Sequence, residues 1–248
     1  MSIFLNNQQL TNVFTSQLVG AGLPVSNSVF TINASEYNGT SSVWPSISGG
    51  VEVNAYPLVG TASNGFWQFD GSLPEYLSLG GNNDVIAENF QQGNGIISQS
   101  WSIIFRGTFG DITSSNLPLP PYGQVIMSNP GYTASPSGSD IIIRTDTTSS
   151  GYADIDIRTG FSGVTRRFTI NYQSGSEANL AIVYNNFTSS VYQNGYRVLL
   201  SSASESPIAV NLFYDNINSG PAVRFGNNNG LDSSNFNGTL GNLLVYNR

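Results

Sequence analysis

The chain of 248 residues contains no cysteine, no histidine and no lysine. Each absence removes a chemistry. Without cysteine there is no disulfide, no thiol nucleophile and no thiolate metal site, and the redox compartment cannot be read. Without histidine the Ser–His–Asp and Cys–His nucleophiles and imidazole metal ligands disappear, and without lysine so does a Schiff base. Charged residues make up only 9% of the chain, against a usual quarter, so the surface must be built from Ser, Thr, Asn, Gln and Gly. All eight basic residues are arginine, the net charge is −7 and the isoelectric point is near 4.3. Recognition of phosphate backbones needs a basic patch, so no nucleic-acid partner is expected. The one adjacent basic pair, Arg166-Arg167, reads as a polar strand edge. No apolar run approaches the ~18 residues of a membrane span. The N-terminus has no basic segment ahead of an apolar core, so no Sec-type signal peptide is expected.

What is present is β-sheet patterning. Short apolar runs are separated by clusters of Gly, Pro, Asn and Ser, which argues for an antiparallel sandwich or barrel. Strands are expected near 29–33, 65–69, 76–79, 101–109, 124–128, 140–144, 153–158, 167–172, 180–184, 190–193, 197–201, 208–214, 222–225 and 240–246. Only 83–89 and part of the N-terminus have helical character. Phe66 to Leu79 reads as strand, tight turn at Asp70-Gly71, and return strand from Tyr76, an early inner hairpin. Asn194-Gly195 is the clearest hairpin signal, because both residues tolerate positive φ. No composition shift marks a domain boundary after residue 27. A chain of this length folding as one domain buries about three quarters of its unfolded surface, enough to fold without cross-links. Residues 1–26 differ: Leu10, Val13, Phe14 and Leu18 fit a helical spacing in a polar background. They form either an arm that docks on a partner or a segment covering the chain's own sandwich.

An internal echo adds a specific pairing. Asp140-Ile-Ile-Ile-Arg-Thr145 recurs as Asp154-Ile-Asp-Ile-Arg-Thr159. An antiparallel hairpin with Ile142 opposite Asp156 sets Asp140 against Arg158 and Arg144 against Asp154. Ile141, Ile143, Ile155 and Ile157 then fall on the core side. The charges become a solvated ladder worth at most about 1 kcal/mol per pair.

Four stretches in order resemble one superfamily, the concanavalin A-like lectin/glucanase fold, and within it the laminin-G-like domains of bacterial and phage proteins. They are Ala34-Ser-Glu-Tyr37 through Trp44-Pro-Ser-Ile-Ser-Gly49; Phe69-Asp-Gly71 with Tyr76; Trp101-Ser-Ile-Ile-Phe105 followed by Leu180–Tyr184 and Val191–Gly195; and Arg224-Phe-Gly226 with the run from Phe236 to Arg248. The resemblance spans about residues 28–248. It implies an all-β, two-sheet antiparallel jelly-roll sandwich over 27–248, with residues 1–26 as a short N-terminal extension. Such domains usually end where this chain does, so one domain behind its extension is expected.

Function is read by elimination. Paired carboxylates are the remaining usual route to catalysis, as in glycoside hydrolysis. The glucanases of the superfamily carry a Glu-x-Asp-x-(x)-Glu strand. The nearest match here, Asp154-Ile-Asp-Ile-Arg158, lacks the terminal Glu and replaces the first Glu by Asp. The chain is therefore expected not to be an enzyme. Calcium is a candidate cofactor, since relatives bind it through carboxylates and carbonyls; Asp70 and Asp232 supply hard oxygen ligands. A polysaccharide would be met by aromatic residues in turn-like settings, Tyr122, Tyr132, Tyr152 and Tyr214. Trp67 and Trp101 read as core, and Trp44 as part of a structural loop. The four Asn-x-Ser/Thr sequons read as incidental.

Two functional expectations follow. The first is a structural protein on the exterior of a virus particle, a phage capsid decoration protein. It would bind capsid or other virion proteins through Leu10, Val13, Phe14 and Leu18 and close into a homo-oligomer such as a trimer. The second is a carbohydrate-binding module of a tail fibre or bacterial surface lectin.

Overall fold

A computed structural model of the chain describes residues 28–34, 43–44, 53–56, 66–70, 76–79, 100–110, 112, 123–128, 139–145, 151–159, 165–185, 188–203, 223–226 and 236–247. Their regular elements are strands: β1 (Ser28–Asn33), β2 (Val43–Trp44), β3 (Val53–Tyr56), β4 (Trp67–Asp70), β5 (Tyr76–Leu79), β6 (Trp101–Phe109), β7 (Gln124–Ser128), β8 (Ser139–Thr145), β9 (Tyr152–Thr159), β10 (Thr165–Asn171), β11 (Glu177–Asn185), β12 (Thr188–Gln193), β13 (Tyr196–Val198), β14 (Leu200–Ala203), β15 (Val223–Phe225) and β16 (Asn237–Asn247). They form two antiparallel sheets. The seven-stranded sheet runs β1-β16-β6-β11-β12-β13, with β4 also paired to β16; the nine-stranded sheet runs β14-β10-β9-β8-β7-β15-β5-β3-β2. The expected all-β sandwich is the observed architecture.

Period-two alternation builds the core. In β6, Trp101, Ile103, Phe105 and Phe109 are buried in the main core, while Arg106 and Thr108 between them are partly exposed. β9 and β10 contribute Ala153, Ile155, Ile157, Phe168 and Ile170 from the other sheet. In β16 the inward residues Leu240 and Leu243 are three apart, because a register shift between Leu240 and Asn242 inserts one residue at Gly241. That bulge keeps both leucines inside. Phe69, Phe105, Phe109, Phe225 and Phe236 meet at the centre, with ring centroids 5.1 Å apart for Phe225–Phe236 and 5.4 Å for Phe69–Phe236. Trp101 stacks on Tyr184 at 5.4 Å. Trp67 and Trp101 are core residues, as expected.

Several register expectations hold. Ile142 pairs with Asp156, Asp140 with Arg158 and Arg144 with Asp154, and Ile141, Ile143, Ile155 and Ile157 are buried. Asn194 (φ 50°) and Gly195 (φ 84°) turn β12 into β13, the positive pair of a type I′ hairpin. Two expectations are corrected. Phe66 to Leu79 is not a hairpin: β4 pairs with β16 in one sheet and β5 with β15 and β3 in the other. A turn signal fixes a change of direction but not which sheet receives the next strand, and the buried side chains of Trp67 and Phe69 pack β4 onto the main core. The strand expected at 197–201 is two, β13 and β14, which sit at the edges of different sheets with Leu199 between them. The strand expected at 208–214, the helix at 83–89 and the extension 1–26 lie outside the described residues, and β2 and β3 were not anticipated.

Phe105 and Phe109 stack at 5.2 Å by folding towards each other over Gly107. A Cβ at Gly107 would lie 1.9 Å from the Thr239 carbonyl oxygen and 2.7 Å from the Phe105 ring. At Gly175 (φ +75°) the space is open. Gly107→Ala is expected to cost about 3 kcal/mol or more by forcing β6 from β16, and Gly175→Ala only about 1 kcal/mol of left-handed backbone strain. Urea unfolding of the two variants checks the ordering.

Candidate functional site

The polar face of β9 and β10 concentrates groups that can meet a ligand. Along β9, Ala153, Ile155 and Ile157 point into the core, so Tyr152, Asp154 and Asp156 point outwards. On β10 the same alternation turns Arg167, Thr169 and Asn171 outwards, opposite Asp156, Asp154 and Tyr152 in register. The adjacent Arg166 takes the other face of the pleat, so Arg166-Arg167 makes no basic patch.

Asp156 accepts two hydrogen bonds from Arg167, at 2.8 Å from Nε and 3.1 Å from Nη2. Arg167 Nε also lies 3.3 Å from Asp154 Oδ2. Thr169 Oγ1 donates to Asp154 Oδ1 at 2.9 Å. Ser201 of β14 donates to the Arg167 carbonyl at 3.0 Å. The aspartate side chains are 7% and 3% exposed and Arg167 is 32% exposed. The expected solvated ladder is thereby corrected: these carboxylates are buried, because the third strand, β10, brings a guanidinium across both of them. Burial of such charges is tolerated when each is paired and hydrogen-bonded.

At the end of this face, Tyr152 is 44% exposed and Asn171 is exposed beside it. Gln193 of β12 crosses from the other sheet to clamp the Asn171 main chain, accepting from its N–H at 3.0 Å and donating to its carbonyl at 2.7 Å. Gln193 pairs in register with Tyr196, which is 73% exposed. Two exposed tyrosines thus flank an amide-bonded junction between the sheets. The outer face of the seven-stranded sheet carries a different arrangement. Arg106 donates to Glu177 at 2.9 and 3.2 Å and lies 5.0 Å from the Phe66 ring centroid. Hydrogen bonding from Arg106 is the main cause that holds the Glu177 carboxyl below its usual 4.5. On the same sheet, burial pushes the Tyr246 phenol up to about 12.

Of the residues singled out from the sequence, Tyr152 is found at this face. Tyr122, Tyr132, Tyr214, Asp232, Leu10, Val13, Phe14 and Leu18 lie outside the described residues. Asp70 ends β4 opposite Asn237, and its side chain is outside what is described. Among the described residues no group of three or more acidic side chains is placed to hold a metal. Sequence reasoning missed Thr169, Asn171, Gln193 and Tyr196. The strand expected at 167–172 marks which residues alternate, but not that β10 lies beside β9.

No family model and no curated protein matches the sequence. Solved structures do match the fold. Trypanosoma rangeli sialidase superposes with a TM-score of 0.57 at 14% identity, over 92% of this chain and 32% of that one. Its complex with sialic acid gives 0.56 at 13% identity, over 92% and 32%. Its covalent intermediate with 2,3-difluorosialic acid gives 0.56 at 13%, over 98% and 35%. The chain spans about a third of the length of the structures it matches, and the likeness establishes a shared all-β fold. It corrects the expectation that the chain is not an enzyme to this extent: the structures it matches here are those of sialidases, so the fold does not exclude an enzyme.

Two outcomes follow from these ion pairs. Arg167→Leu removes the guanidinium that bonds Asp156 and lies against Asp154, both buried, and is expected to destabilise the protein by about 3 kcal/mol at neutral pH, measured by urea unfolding. The second concerns Glu177, whose lowered pKa stabilises the fold fully above 4.5; that contribution is lost as pH falls below 4.5 through the folded-state value. The pair is largely exposed, so Glu177→Gln is expected to remove only about 0.5 kcal/mol of acid-sensitive stability, seen as a flatter stability profile below pH 4.5.

Proposed function

We propose that this chain is a carbohydrate-binding β-sandwich of the concanavalin A-like, laminin-G-like type, which takes glycan on the outer face of β9 and β10. The observation that carries the reading is the half-exposed Tyr152 ring beside Asn171, Thr169 and Arg167. An aromatic surface meets the apolar face of a sugar ring, while neighbouring amide, hydroxyl and guanidinium groups meet its hydroxyls. The fold is shared with a sialidase solved in complex with sialic acid, which supports carbohydrate as the broad ligand class and leaves the charge of the sugar open. Gln193 keeps the Asn171 backbone fixed, so the ring and the amide stay in register.

A second reading, an exterior structural protein of a virus particle, is favoured by a separate observation. Leu199 is 84% exposed and Leu200 44%, where β13 and β14 form the edges of the two sheets. Exposed apolar residues at sheet edges suit contact with another protein, and a sister copy or a shell subunit would supply it.

One titration separates the readings. The purified chain is titrated with soluble polysaccharides by calorimetry, with and without a calcium chelator, and its native mass is recorded alongside. For glycan binding, Tyr152→Ala is expected to weaken affinity about tenfold, the equivalent of about 1.4 kcal/mol, with the fold intact. A stable oligomer with no response to any glycan overturns this reading in favour of the second. Affinity lost on chelation assigns calcium to the site.

A further inference from the structure

We infer that the glycan recognised on this face is uncharged, a neutral hexose or pentose polymer rather than one bearing carboxylate or sulfate groups. The inference rests on the carbohydrate-binding reading above, and it comes from how the charges of the face are already committed. Arg167 is the cation nearest Thr169 in register. It directs Nε and Nη2 at Asp156, and its Nε lies within ion-pair distance of Asp154 as well. Both aspartates are almost wholly buried. Drawing Arg167 towards an anionic ligand would leave a buried carboxylate short of its partner, which is more costly than the new contact is favourable.

Among the described outward positions of β9 and β10, Arg167 is outnumbered by Asp154 and Asp156. Register sets Arg158 opposite Asp140 and Arg144 opposite Asp154, so each of these arginines shares a register position with an aspartate. Arg224 belongs to β15, which is separated from β8 by β7, roughly 10 Å away at the usual strand spacing. The chain as a whole is at −7, so an anionic polymer approaches against a negative field.

Thr169 carries the discrimination to the level of a single hydroxyl. An ionised carboxylate can only accept, so Thr169 must spend its proton on Asp154 Oδ1. What Thr169 then presents outwards is lone pairs. These accept from a sugar hydroxyl and repel a carboxylate or sulfate oxygen. The Tyr152 ring is uncharged and takes the C–H face of a sugar, which neutral pyranoses offer without any anionic group to desolvate.

The test uses the full chain and matched pairs of polymers: dextran against carboxymethyl-dextran, galactan against polygalacturonan, and an asialo oligosaccharide against its sialylated form. Calorimetry is run at low and high salt. At least one neutral member is expected to bind, with its charged counterpart about tenfold weaker or more at low salt and the gap narrowing as salt screens the repulsion. Thr169→Val, which keeps the shape and removes the hydroxyl, is expected to weaken the neutral ligand severalfold, with thermal unfolding confirming a folded variant. A charged member that binds as tightly as its neutral partner, or more tightly, overturns the inference while leaving carbohydrate binding in place. No binding by any member overturns both.

Discussion

The structure depends on one constraint: two sheets must share a single apolar layer, so every inner strand has to offer large side chains at alternate positions and keep the others out. The cluster of Phe69, Phe105, Phe109, Phe225 and Phe236 fills that layer from both sheets. Its dense packing explains the glycines as much as the aromatics. Gly107 has no side chain because the Phe105 ring and the Thr239 carbonyl occupy the space a Cβ would need. Gly241 sits in a bulge because β16 must turn two leucines three residues apart to the same side. The core thus dictates backbone detail well beyond its own residues.

Once the inner face is committed, the outer face is set by the same alternation. Ile155 and Ile157 cannot face inwards without Asp154 and Asp156 facing outwards on the same strand. The polar face is therefore a by-product of core packing that has been given order by Arg167, Thr169 and Gln193. Each of these ties one strand to another, and Gln193 ties one sheet to the other. A surface held this way is preorganised, and preorganisation lowers the entropic cost of any binding that takes place on it. Arg167 is committed to the two buried aspartates of β9.

Legibility followed the range of the interaction. The β8–β9 hairpin was read in its correct register because the repeated Asp-Ile-x-Ile-Arg pattern specifies both faces at once, and a one-residue slip would expose every isoleucine. The Asn194-Gly195 turn was read because positive φ at two consecutive residues is a local requirement. The Phe66–Leu79 segment was misread as a hairpin for the complementary reason. Its turn residues are equally compatible with a strand that leaves for the opposite sheet, and the pairing of β4 with β16 joins residues some 170 positions apart. The acidic pair was read as solvated because Arg167, eleven residues from Asp156 in sequence, was taken for an edge residue. The expectation of a non-enzymatic chain is corrected for a different reason: composition excludes particular catalytic groups, but it does not exclude a fold that sialidases also have.

Local sequence was sufficient for the all-β class, the inner and outer faces of β8 and β9, the core placement of Trp67 and Trp101 and two hairpins, because alternation and turn chemistry act between near neighbours. Only the tertiary structure decided which sheet each strand joins, that Arg167 covers Asp154 and Asp156, and that Gln193 binds the Asn171 backbone beside Tyr152. Those contacts join separate strands, and in the last case separate sheets. Their energies depend on the alignment of whole strands, which only packing of the shared core sets.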